Sequence, residues 1–110
     1  MKYKTIKIPL IPCDLKIYVG KSSFAKFLRE CQKITKTKWT FDENVSGYCF
    51  ENIIWIYDFN LETLFHECSH FYDWLFEYLE CKEEDEFKAY LVSYISVEVT
   101  KFIGRMNIVK

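Results

Sequence analysis

The sequence predicts an α+β fold: a small, mostly antiparallel sheet, one helix in the N-terminal half and two long helices at the C-terminal end. Three observations predict it. Before Asn60, short β-branched and aromatic runs alternate with Pro, Gly and Asn punctuation. One amphipathic helical run is set among them. From Asn60 onward the apolar residues recur at helical spacing, and no Gly or Pro interrupts the stretch to about Glu80. Strands first and paired helices last is the order of an α+β domain, and 110 residues make one domain spanning 1–110.

Lys2 to Leu10 alternates as a strand, closed by Pro9 and Pro12, which also prevent a helix. Leu15 to Val19 alternates as a second strand and stops at Gly20. Ser22 or Ser23 caps a helix to about Thr35, with Phe24, Phe27, Leu28, Cys31 and Ile34 as its buried stripe. Lys38 to Phe41 reads as a strand, followed by turn residues at Asp42–Asn44 and Ser46–Gly47. Tyr48–Phe50 and Ile53–Phe59 form two more strands around a tight Glu51–Asn52 turn. Short hairpin connections make the sheet mostly antiparallel, with room for a parallel pair across the first helix. Asn60 caps the next helix, whose apolar stripe is Leu61, Leu64, Phe65, Cys68, Tyr72, Leu75 and Leu79. The last helix runs from about Glu83, with acids in its first turn at the positive end of the dipole. Phe87, Leu91, Ile95 and Phe102 form its stripe, Val92 and Val99 stand beside it, and Gly104 is its stop.

Composition narrows the function classes. Half the residues are apolar and 19% aromatic, which excludes a disordered chain. Fifteen basic against sixteen acidic residues leave no electrostatic footprint for nucleic acid or an anionic membrane. No apolar run approaches the roughly 18–20 residues of a membrane span. Five cysteines, an odd number without a C-x-x-C pair, and an opening without a signal-peptide pattern point to free, mostly buried thiols in a reducing cytoplasm.

The chemistry concentrates in His66-Glu67-Cys68-Ser69-His70, an H-E-x-x-H run inside the first long helix. Residues at i and i+4 sit one above the other, so both imidazoles can reach one metal ion, and Glu67 can take a proton from a water held there. His66, His70, Asp73 and Glu77 share the helix side opposite the apolar stripe. Trp74, Phe71 and Phe76 flank it, which makes a lined cleft the expected setting. A zinc site needs a third protein ligand, and the chain has only these two histidines. Glu86, Asp73 and Cys81 remain as third-ligand candidates. Glu77 lies two turns beyond His70, and Asp73 also suits a partner that fixes a ligating histidine's tautomer. Ala89 and Ser93 on the face of Glu86 would let the two long helices approach closely.

The strand Ile54–Tyr57, the run Thr63–His70 and Glu86-x-x-Ala89 together resemble short gluzincin-type metallopeptidases. They are similar in particular to the ImmA/IrrE peptidase domain and to small phage-type H-E-x-x-H proteins. The similarity covers roughly residues 47–95. It implies a compact α+β zinc peptidase in which a Glu on the following helix, here Glu86, is the third ligand, and ImmA-type members act on transcriptional regulators. The chain departs from the ImmA pattern at Cys68-Ser69, where Leu-Gly is usual. Tyr90-Leu91-Val92-Ser93 stands where Asn-x-Phe-Ala commonly follows. The expected function is zinc-dependent hydrolysis of a protein or peptide substrate, with Zn2+ on His66, His70 and Glu86 and with Glu67 as general base. Tyr90 or Tyr94 is a candidate donor to the developing oxyanion. A substrate could add as a strand along 47–50. The alternative is a non-catalytic, zinc-stabilised protein-interaction domain, in which Asp73 or Cys81 would fill the fourth position.

Overall fold

A computed structural model describes residues 3–9, 11–35, 45–80 and 86–108, with side chains described as far as Arg105. Its strands are β1 (Tyr3–Lys7), β2 (Asp14–Val19), β3 (Gly47–Phe50) and β4 (Ile53–Ile56). Its helices are α1 (Phe24–Thr35), entered through a 3-10 turn at Lys21–Ser23, α2 (Leu61–Tyr78) and α3 (Glu86–Ile108). The expected strand at Lys38–Phe41, the turn at Asp42–Asn44 and Cys81 lie outside the described residues.

The sheet order is β1-β2-β4-β3. β1/β2 and β3/β4 are antiparallel hairpins, and β2 and β4 run parallel at its centre, with Ile17 opposite Ile54. The parallel pair straddles α1. Burial explains why β4 does not alternate: Ile53, Ile54, Trp55 and Ile56 are all buried, as a central strand covered on both faces requires. Ile54 and Ile56 join Leu15, Ile17 and Val19 under α2 and α3. Ile53, Trp55 and Tyr18 pack with Phe24, Phe27 and Cys31 of α1 on the other face. The domain is therefore three layers, with α1 on one face of the sheet and α2 and α3 on the other. The buried indole of Trp55 donates from Nε1 to the Gly20 carbonyl at 2.8 Å, so its polar atom is not stranded in the core.

Several boundaries move from expectation. β4 ends at Ile56, and Tyr57–Phe59 bend into α2, with the Asn60 N–H donating to the Asp58 carbonyl at 2.8 Å. Asn60 caps α2 as expected, its side chain accepting from the Thr63 N–H at 3.0 Å. α3 does not stop at Gly104 but continues to Ile108. Val99, Phe102 and Ile103 are buried and hold the helix across that glycine, whose cost of about 1 kcal/mol is small beside their burial. On α1, Ile34 is 45% exposed and leaves the expected stripe. On α2, Phe65 is 40% exposed while Phe71 is fully buried, because the sheet draws burial toward the Leu64, Glu67, Cys68, Phe71 and Leu75 side. Among the described residues no helix is long and apolar enough to cross a membrane.

Candidate metal centre and its cleft

α2 lies over β3 and β4, and this docking sets the environment of each residue of the motif. His66 and His70 point to solvent on the same side of the helix, their ring centroids 5.0 Å apart and their planes nearly perpendicular at 85°. Glu67, one residue on from His66, is rotated by about 100° toward the sheet. It is only 6% exposed and is the one buried charged residue among the described residues. Burial pushes its carboxyl pKa above the usual carboxylate range, and the two histidines pull in the opposite direction. Among the described residues no hydrogen bond reaches its carboxylate or either imidazole. Cys68 faces the core, where burial raises its thiol to about 12. The four described cysteines, Cys13, Cys31, Cys49 and Cys68, are all free.

A cleft of about 500 Å³ opens at the N-terminal end of this arrangement. Ser46 and Gly47 form one wall, and Asn60, Glu62, Thr63, His66 and Glu67 form the other. His70 stands outside its lining. Gly47 is the tightest point. A Cβ on this residue would lie 3.0 Å from the Trp55 carbonyl oxygen and 3.1 Å from both Cγ and Oε2 of Glu67. The first residue of the edge strand thus lies close against the Glu67 side chain, and any larger residue would have to push its neighbours aside by a few tenths of an ångström. Gly47→Ala is expected to cost about 1–3 kcal/mol, an overpacking penalty, because a backbone carbonyl on one side cannot yield. Chemical denaturation checks this, and an unchanged midpoint would show that the wall is looser than the geometry requires.

The remaining candidates are not gathered at the histidines. Glu86 is exposed in the first turn of α3. The Tyr72 and Ser96 hydroxyls lie 3.3 Å apart, and Lys88 Nζ lies 4.9 Å from the centre of the Phe76 ring. Extending that antiparallel register puts residues 94–98 level with His70, about ten residues or ~15 Å along α3 from Glu86. The same contacts turn Tyr72 and Phe76 toward α3. His70, two residues from Tyr72, is then on the far side of α2, roughly 200° around at 100° per residue. Among the described residues no three His, Cys, Asp or Glu side chains are grouped to hold a metal. The pair fits two zinc positions, and this arrangement does not bring a third donor to it. Asp73 is exposed on α2, near the histidine side.

Tyr90 is exposed and stacks on Tyr94, with ring centroids 6.5 Å apart. The Tyr94 hydroxyl donates to the Lys7 carbonyl at 3.4 Å, at the β1 edge of the sheet. The cleft is walled by β3 at the opposite edge, so the arrangement does not bring Tyr90 or Tyr94 to it, against the expectation that one of them would serve there as a donor. Sequence reasoning did not single out Glu62 or the closure of Gly47 on Glu67. A glycine opening an edge strand was the available signal for Gly47.

No protein-family model, no curated protein and no solved structure matches the chain.

Proposed function

We propose that the protein is a zinc-dependent hydrolase of peptide or amide bonds, working in a reducing cytoplasm. One observation carries the reading: the largely buried Glu67, without a hydrogen-bond partner among the described residues, lines a cleft together with His66, and His70 stands beside His66 just outside that lining. His66 and His70 would hold the ion, which when bound supplies polarisation of the scissile carbonyl and acidification of water. Glu67 accepts the proton of the attacking water and returns it to the leaving amine. Packing against Gly47 fixes the carboxylate before substrate arrives, so little ordering is left for the reaction itself.

Glu86 is the proposed third ligand on the strength of the resemblance. Its ligation requires the first turn of α3 to come alongside His70 and round to the histidine side of α2, since in this arrangement it stands ~15 Å along the helix and α3 packs on the Tyr72 and Phe76 face. Elemental analysis of protein purified without chelator or affinity-tag stripping is expected to find about one zinc per chain. Glu86→Gln is expected to weaken zinc at least tenfold. Protein without zinc would sink the metal reading, and unchanged affinity in Glu86→Gln would remove Glu86 from the site.

A further inference from the structure

The cleft carries two carboxylates, Glu62 and Glu67, and no Lys or Arg lines it among the described residues. The two differ in character. Glu67 is only 6% exposed, has no hydrogen-bond partner among the described residues, and lines the cavity, into which its carboxylate oxygens remain accessible. Glu62 is exposed, one helical turn before His66 and on the same side of α2. We propose that Glu62 selects substrates bearing a cationic side chain, lysine or arginine, one or two residues from the scissile bond. The inference rests on the hydrolase reading, which places the reacting carbonyl at His66 and Glu67.

Geometry fixes the spacing. Side chains at i and i+4 on a helix are about 5–6 Å apart. An extended peptide advances about 3.3 Å per residue and points alternate side chains to one face. A chain lying in the cleft with its carbonyl at His66 therefore brings the side chain one or two positions away opposite Glu62. Asn60 and Thr63, the other α2 residues of that wall, are neutral, and Asn60 already engages the Thr63 N–H as the helix cap. Ser46 and Gly47 across the cleft add no charge. Among the described residues, Glu62 is thus the exposed charge of the cleft lining, and Glu67 is the buried one.

The test is binding, so that it stands apart from turnover. Fluorescently labelled alanine-based decapeptides carry a single Lys or a single Glu, moved through each position in turn. Affinity is read by anisotropy at low ionic strength on the full chain carrying Glu67→Gln in chelator, so that cleavage is negligible during the measurement. One or two Lys positions are expected to bind about fivefold tighter than the matching Glu peptides, the weight of a partly exposed ion pair. The preference should fade with salt. Glu62→Gln should remove it, and Glu62→Lys should reverse it, with circular dichroism showing both variants folded. Peptide binding without a Lys preference, or a preference that survives Glu62→Lys, would overturn the role of Glu62 and leave the hydrolase reading standing. No peptide bound at any position would overturn both.

Discussion

Glu67→Gln is expected to abolish hydrolysis, by about 10²–10⁴-fold in kcat, while zinc content and fold are kept. The substitution changes one oxygen to an amide nitrogen in a side chain 6% exposed and packed on Gly47, so shape is conserved and only basicity is lost. A residual rate from bound water and zinc is expected to remain, since removing the base does not remove the ion. Cleavage of a peptide mixture followed by mass spectrometry checks the result. Turnover by Glu67→Gln equal to that of the natural chain would end the assignment of Glu67 as base.

The same substitution has a stability signature in metal-free protein. A carboxyl whose pKa is raised by folding binds its proton more tightly in the native state. Its contribution is fully present below the unfolded carboxylate pKa of about 4.3 and is lost as pH rises through the raised folded value. At neutral pH the buried carboxylate therefore weighs against the fold, and Glu67→Gln should be the more stable protein there. The difference should shrink as the pH falls toward 4.

The β3/β4 hairpin, the capped α2 and the helix order were legible because each rests on local signals: turn residues, an Asn cap and strict apolar periodicity, whereas the pairing of β1 with β2 was not decided by the residues between them. The histidine pair was legible for the same reason, being a relation between residues one turn apart. Gly104 misled because a lone glycine looks like a helix stop until Phe102 and Ile103 are seen buried around it. What the sequence withheld was relation between elements. Nothing local says that Gly47 closes on Glu67, twenty positions away, or that the docking of α2 on β3 buries Glu67 and leaves Phe65 outside. The α2–α3 register is of this kind too. The contacts of Tyr72 and Phe76 with α3 set that register and leave Glu86 short of His70.

His66→Ala and His70→Ala are expected to lose zinc altogether and yet to fold normally without it. Both side chains are exposed and, among the described residues, without hydrogen bonds, so truncating either removes only the edge contact between the two rings and strands no hydrogen-bond partner. In chelator each variant should match the natural chain within about 0.5 kcal/mol, the usual range for a surface substitution. Zinc separates them. A ligand that binds only the folded state stabilises by RT ln(1 + [L]/Kd), about 2.7 kcal/mol at a hundredfold excess over Kd. The natural chain should gain that increment in a thermal or urea melt, and each histidine variant should gain nothing. Two imidazoles are the minimum that distinguishes a site from chance surface binding, so the variants should fail singly, not only together. If either one kept the zinc-dependent shift, the metal would have to be held elsewhere on the chain, and the pairing of His66 with His70 would be an accident of helix spacing.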